Sequence, residues 1–358
     1  MRDVQTKREI RSMSTRTRNV YSFALIHSII AGSMIFGAAS AQDEIMVTLP
    51  AESCVTTDLS SPGNNSLLGQ LNSTTDWYGN RTAIAERGIK LELSTTQFYQ
   101  GVASGGVERE FQYGGRNDYF VKFDSEKAGL WKGSSVTVHG ETRYGETANA
   151  LTGALAPVNL MMSLPLSSGT VTGLTSVKFQ QVFSERLSVY AGKLNTLDDF
   201  RQPLTRAGPL QGFQNSALIY NSVYARTIPY CTLGAGFIYT STAQRSFEFA
   251  IYDTNNTPTV NGFNTLFSNG ATLYAAGTVP TKLNDKPGHR GVSAVYSTGT
   301  YTDLTPTAFL DPTAGLVLLS TPGTGSWSVT YNCDQALYVS RDDPERMWGR
   351  LRQSGTCR

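Results

Sequence analysis

The stretch Glu126-Lys127-Ala128-Gly129-Leu130-Trp131-Lys132-Gly133, together with the run from Ser134 to Tyr144, decides the fold. Two glycines and a tryptophan make a turn, and the residues after it alternate in character. Val136 and Val138 fall on one side of an extended chain, while Thr137, His139, Glu141 and Arg143 fall on the other. Successive side chains of a strand point to opposite faces, so this is a strand with one apolar and one charged face. A wall between lipid and water needs both faces in one short element.

The same unit recurs along the chain. Ile89 to Leu93 alternates strictly, and Tyr119, Val121 and Phe123 share a face within Tyr119 to Asp124. Leu187 to Ala191, Tyr230 to Thr240, Arg245 to Tyr252, Gly291 to Tyr296 and Trp327 to Tyr338 read as further strands. Between them lie turn-rich segments at 103–115, 148–173, 198–214, 254–264 and 300–325, the last with short apolar pieces inside it. The longer ones exceed ordinary connections and are expected as outer or pore-folding loops. Aromatic residues at strand ends (Trp131, Tyr144, Trp327, Tyr338) fit the belts of a membrane barrel. Alternation by itself also suits a soluble sandwich with its polar face outward. An exported soluble β-sandwich that binds glycans is therefore carried as the alternative.

Composition narrows the classes. The chain has 358 residues, 34 Gly, 17 Tyr and 16 Phe, with 16% charged residues. Gly, aromatics, Ser and Thr favour strands and turns over helices. A mean hydropathy of -0.22 excludes a helical membrane bundle but not a barrel, where half of each strand faces water. A net charge of +2, with no basic stretch beyond the N-terminus, is no footprint for nucleic acid. Residues 1–41 read as an export signal: a basic region with Lys7, Arg8, Arg11, Arg16 and Arg18, an apolar stretch from Tyr21 to Ala38, and Ala39-Ser40-Ala41 as cleavage site. Residues 42–87 form a polar leader ending in a short helix, for which Asp76 is the cap and Gly88 the stop. Cys54, Cys231, Cys333 and Cys357 lie far apart without metal-ligand spacing, so no metal or other cofactor is expected.

Catalysis finds little support. His139 and His289 follow no nucleophile or zinc-protease pattern, and Asp198-Asp199 and Asp342-Asp343 read as solvated loop acids. Gly323-Thr324-Gly325 lacks the Lys-Ser/Thr of a phosphate loop.

The segments between the strands resemble the carbohydrate-selective outer-membrane porin family (OprB-type). Asp76-Trp77-Tyr78-Gly79-Asn80-Arg81 is similar to its early D-W-G-G-x-R element, with Tyr78 in place of a glycine. Glu126 to Gly133 is similar to its EKAGLWxG turn, and Arg143-Tyr144-Gly145 and Gly153 to Asn159 to the strand end and loop that follow. Ala191 to Asn195, Tyr331 to Gln335 (Cys333 standing where an aromatic is usual) and Asp343-Pro344-Glu345-Arg346 with Trp348-Gly349 extend the match. The resemblance implies an all-β, antiparallel up-and-down transmembrane barrel of sixteen strands. It also implies a homotrimer in the outer membrane of a Gram-negative bacterium, passing small sugars by diffusion in contact with lipid. Family members continue well past the last motif. Here Arg350 to Arg358 is basic, without alternation or a terminal aromatic. We therefore expect a barrel over 88–348, an aberrant tail over 349–358 and several missing strands. Open edges would leave backbone groups unpaired in lipid, at roughly 2–7 kcal/mol each. Such a sheet must close with fewer strands, borrow a partner or fail to insert.

For a sugar channel, strand parity nominates Lys90, Glu92, Lys122, Asp124, Glu141, Arg143, Glu248, Asn332 and Asp334 as pore-lining. Each also suits cross-strand pairing that holds the wall. Arg143 and Lys122 lead, because cationic donors bind hydroxyls well.

Overall fold

The computed structural model describes residues 79–357, apart from 155, 166–168, 201–207, 211, 221, 242–244, 303–306, 312–314, 320–321 and 342–346. The expected signal peptide, and the leader up to residue 78 with its Asp76 cap, lie outside the described residues. Helix α1 (Asn80–Glu86) follows Gly79 and ends at Arg87. Gly88 then turns the chain with φ 92°, as its place after the helix predicts.

Thirteen strands follow among the described residues: β1 (Ile89–Gly101), β2 (Phe111–Asp124), β3 (Ser134–Gly145), β4 (Val171–Ser184), β5 (Leu187–Asn195), β6 (Cys231–Thr240), β7 (Ser246–Asp253), β8 (Ala271–Leu283), β9 (Lys286–Thr302), β10 (Thr307–Asp311), β11 (Gly315–Leu319), β12 (Pro322–Val339) and β13 (Met347–Cys357). Eleven of them make one antiparallel sheet in chain order, with β1 and β13 at its two ends. Strands β10 and β11 form a separate hairpin. An antiparallel meander sends alternate connections to opposite ends. One end carries short turns: Glu185-Arg186 between β4 and β5, and Asn284-Asp285 between β8 and β9. Asn284 and Asp285 have φ 50° and 59°, the paired left-handed conformation of a two-residue hairpin. The other end carries the long connections, 146–170, 196–230 and 254–270 among them. Short turns at one rim and long loops at the other are the plan of an outer-membrane barrel.

The two faces of the sheet are reversed relative to a water-soluble protein. Leu93, Val121, Val177, Phe247, Val292, Tyr296, Trp327 and Val329 are exposed. Arg116, Asp118, His139, Glu141, Arg143, Thr272, Ser297 and Thr330 are buried. A sandwich would need two facing sheets with an apolar interior; among the described residues one sheet turns its apolar side outward. No helix among them is long and apolar enough to cross a membrane, which does not bear on strands. Of the expected belt residues, Trp131, Trp327 and Tyr338 stand exposed, and Tyr338 stacks on Trp348 at 6.2 Å.

Every strand read from alternation is present, mostly longer than the periodic run. Three strands of the eleven-stranded sheet were not read. Strand β4 carries Thr175 as an extra residue where the register slips between His139 and Gly140 of β3, which breaks the period of two. Strand β8 holds Ala275, Ala276, Gly277 and Pro280, weak strand formers that neighbouring strands hold in register. Strand β13 covers most of the segment expected as an aberrant tail, pairing from Met347 opposite Val339 to Cys357 opposite Ser328. The expected loop 300–325 contains the β10–β11 hairpin instead.

The turn that opens β3 is a closed unit. Ser125 N donates to Ser134 O at 3.0 Å, Leu130 N to Ser125 O at 2.8 Å, and Gly133 N to the Glu126 carboxylate at 3.1 Å. Gly133 has φ 69°, and a Cβ there would lie 2.5 Å from Val182 O of β4. Gly129 has φ 72° with open space around it. Gly133→Ala is therefore expected to destabilise the folded protein by about 1–3 kcal/mol, the strain of a forced left-handed residue plus a backbone clash. Gly129→Ala meets only the left-handed penalty of roughly 1–2 kcal/mol. Urea midpoints of the two variants test the ranking, and equal losses would refute the clash.

Candidate functional site

The inner face of β2 and β3 is built from cross-strand pairs. Asp118 stands opposite Glu141, Phe120 opposite His139, and Arg116 opposite Arg143. The backbone register alone thus collects two carboxylates, two guanidinium groups and an imidazole. The Arg116 guanidinium donates to Asp118 Oδ1 from Nε (2.9 Å) and Nη2 (2.6 Å), and from Nη2 to Glu141 Oε1 (3.0 Å). His139 Nε2 meets Asp118 Oδ1 at 3.0 Å, and Nδ1 meets Asp198 Oδ1 at 2.8 Å. Its ring stacks on Phe120 with centroids 3.7 Å apart. Asn195, the last residue of β5, donates to Glu141 Oε1 at 2.8 Å, and the Tyr230 hydroxyl donates to Glu141 Oε2. Burial, with Glu141 beside it, pushes the Tyr230 phenol well above its ordinary range, so it remains a donor at neutral pH.

Asp118, His139 and Glu141 offer three ligand atoms within 4.8 Å of one another, spacing that suits a metal ion. Arg116 Nη2 already lies within hydrogen-bond reach of both carboxylates. The guanidinium takes the cation's place, and the donor set does not fit a further metal.

Two long loops fold onto this face. In the β3–β4 connection, Asn159 is fully buried and donates to Gln100 Oε1 at 2.7 Å, and the Met161 sulfur receives Arg116 Nη1 at 3.3 Å. In the β5–β6 connection, helix α2 (Ser222–Thr227) leaves its own strands and reaches β8, β9 and β12. Its Tyr224 hydroxyl bonds Ser293, Thr227 O accepts from Thr272 at 2.6 Å, and Arg226 lies over the Tyr301 ring at 5.0 Å. A segment joining neighbouring strands can touch strands so far along the order only by crossing the inside of a curved wall. Leu160, Met161 and Ile219 seal the two loops together.

The parity-derived residues separate into distinct groups. Lys90, Glu92 and Lys122 come together, with Glu92 Oε1 at 3.0 Å from Lys90 Nζ and 3.5 Å from Lys122 Nζ. These three side chains remain accessible, and Lys122 lies over Phe120 at 5.7 Å. Asp334 pairs with His289 at 3.1 Å, with Asn332 half-buried on the same strand. Glu248 accepts from the Tyr190 hydroxyl at 2.7 Å. Asp124 does not reach the interior: its Oδ1 caps the turn by accepting from Glu126 N and Lys127 N. Glu141 and Arg143 face inward but lie beneath the loops. Arg143 is 1% exposed and donates to Met162 O (3.4 Å) and Gly169 O (2.5 Å). Asp198, expected as a solvated loop acid, is instead bonded to His139. Its neighbour Asp199 is 57% exposed and pairs with Lys178.

Arg116, Asp118, Asn195 and Tyr230 escaped the sequence reading. Arg116 and Asp118 carry the parity of Lys122 and Phe120 but precede the apolar run from Tyr119. Extending the even-numbered set backwards would have found them. Asn195 and Tyr230 are assembled by register and loop path, for which the sequence holds no local signal.

A family model described as carbohydrate-selective porin, OprB family, matches residues 108–352. Among solved structures, the chain is similar to the high-pH structure of Pseudomonas putida OprB, with TM-score 0.64 and 18% identity over 79% of this chain and 70% of that one. It is also similar to the low-pH structure of the same protein, with TM-score 0.39 and 12% identity over 80% of this chain and 97% of that one. None of the curated proteins matches it.

Proposed function

This chain belongs to the carbohydrate-selective porin, OprB family, and is an outer-membrane sugar porin; we propose that sugars pass between the accessible Lys90–Glu92–Lys122 cluster and the two infolded loops. The observation that carries this route is the division of the inner face. Arg116, Glu141 and Arg143 are spent on the wall and loops, whereas the side chains of Lys90, Glu92 and Lys122 remain partly accessible. A sugar sheds water as it enters a narrow lumen, and its hydroxyls need replacement donors and acceptors. Two ammonium groups flanking one carboxylate supply both. Phe120 beneath Lys122 adds an apolar surface at the same level.

Outer-membrane lipid is the proposed partner of the apolar face, supported by the exposed Leu93, Val121, Val177 and Val292. The homotrimer rests on the family resemblance alone. Membership of the porin family supports reading the protein as a channel. Liposome swelling with sugars of graded size tests the route. Lys122→Ala and Glu92→Gln should change sugar entry by up to about tenfold, the worth of one charge-assisted hydrogen bond of roughly 1.5 kcal/mol. Wild-type rates in both variants would remove the cluster from the path.

A further inference from the structure

We infer that Glu141 and His139 form a two-point clamp that holds both roots of the β5–β6 loop against the wall, and that this clamp sets the size limit of the channel. The inference rests on the porin reading and deepens it. Asp198 lies just after β5 and Tyr230 just before β6, so they are the hinges of the connection that carries α2 across the inside. Both hinges end on β3. The Asp198 carboxylate meets His139 Nδ1 at 2.8 Å, and the Tyr230 hydroxyl donates to Glu141 Oε2. His139 and Glu141 are adjacent on the inner face, two residues apart, and are themselves pinned by Asp118 and Arg116.

A loop anchored only at its tip can pivot about its roots; one anchored at both roots and at α2 has its path fixed. The hinge bonds are made by side chains at the very ends of the loop, so a small rotation there moves α2 by a much larger amount. Asp198 and Tyr230 are thus positioning residues, acting on the sugar path through the placement of α2. Other residues bond at the same sites: Asn195 also reaches Glu141, and Glu141 also receives Arg116. Thr196 N also donates to Tyr230 O at 3.0 Å and Asn195 to the Tyr230 hydroxyl at 3.3 Å, which ties the two roots to each other; beyond the strand ends, Asp198 and Tyr230 carry their bonds to β3.

The test compares Tyr230→Phe, Asp198→Ala and Asp198→Asn in planar bilayers and in swelling assays with mono-, di- and trisaccharides. Tyr230→Phe keeps the ring and deletes only the hydroxyl. We expect Tyr230→Phe and Asp198→Ala to add conductance sub-states and to raise trisaccharide entry several-fold, with little change for monosaccharides. Asp198→Asn keeps an oxygen acceptor for His139 and should restore the wild-type limit. Tyr99→Phe, on the outer face, should match wild type in every assay. Uniform scaling of all sugars, or an unchanged limit in both Tyr230→Phe and Asp198→Ala, overturns the clamp. Should Asp198→Ala not fold, Tyr230→Phe decides alone. Absence of any sugar entry through wild-type protein would instead defeat the porin reading beneath it.

Discussion

Arg116→Met is expected to leave little folded barrel under conditions where the wild type is stable. Methionine keeps most of the arginine's length and apolar stem but removes the charge. The guanidinium is 4% exposed and supplies hydrogen bonds to Asp118 and Glu141, both fully buried. Without it the two carboxylates face each other across β2 and β3, and His139 Nε2, 3.0 Å from Asp118 and 3.4 Å from Glu141, is the contact they still share. Removing one partner of a buried ion pair costs about 3–5 kcal/mol, because the remaining charge is neither paired nor hydrated. That is a large share of the 5–15 kcal/mol typical of a folded domain. Urea unfolding in detergent, followed by the gel shift between unheated and boiled samples, measures the loss. Adding Asp118→Asn and Glu141→Gln to the same chain should recover a substantial part of it, since the unpaired charges leave with their partner. An unchanged midpoint for Arg116→Met would show that the cluster carries no stability.

Val292→Arg separates a lipid-facing wall from a water-facing one. Val292 is 52% exposed, within β9 and opposite Gly277 of β8 and Tyr331 of β12. Were this face in water, an exposed valine could become arginine within about 0.5 kcal/mol either way. Inside hydrocarbon the same change costs about 2–4 kcal/mol near the midplane and less towards the rims. Folding into lipid vesicles over a urea series gives the difference directly. A midpoint equal to wild type would mean that the apolar face does not contact lipid. Repeating the change at Val121 and Val177 would show whether the cost follows depth.

The legible and illegible parts of the site divide along a physical line. Lys90, Glu92 and Lys122 come together on one face because the strand period places alternate residues on one side, and those residues are charged. Asp124 obeyed the same parity yet sits at a strand end, where the chain turns and its side chain finds two turn amides. Arg143 and Glu141 had the right face but the wrong surroundings, because parity says nothing about a loop whose residues, 19 and 26 positions on from Arg143, arrive to cover them. Asp198 shows the same effect from the loop's side. In sequence it is one of two adjacent acids; in space it meets His139 while Asp199 points to Lys178. The β4 strand was hidden by its bulge, and β8 by its alanines and glycine. Both exist because neighbouring strands offer a ladder of backbone partners, which local propensity does not record.

From the sequence by itself, the Glu126–Gly133 turn, the alternation of Val136 and Val138 with His139, Glu141 and Arg143, and the recurrence of that unit determined an all-β meander with one apolar and one polar face. These are properties of a few consecutive residues, since the strand period and the turn glycines act over a handful of bonds. Tertiary structure alone decided which polar residues meet. The β2–β3 register set Asp118 beside Glu141 and placed Arg116 between them. The inward path of the β3–β4 and β5–β6 loops then buried Arg143 and brought Asp198 and Tyr230 to the wall. Such pairings depend on contacts between residues up to 89 positions apart, and strand periodicity carries no information over that range.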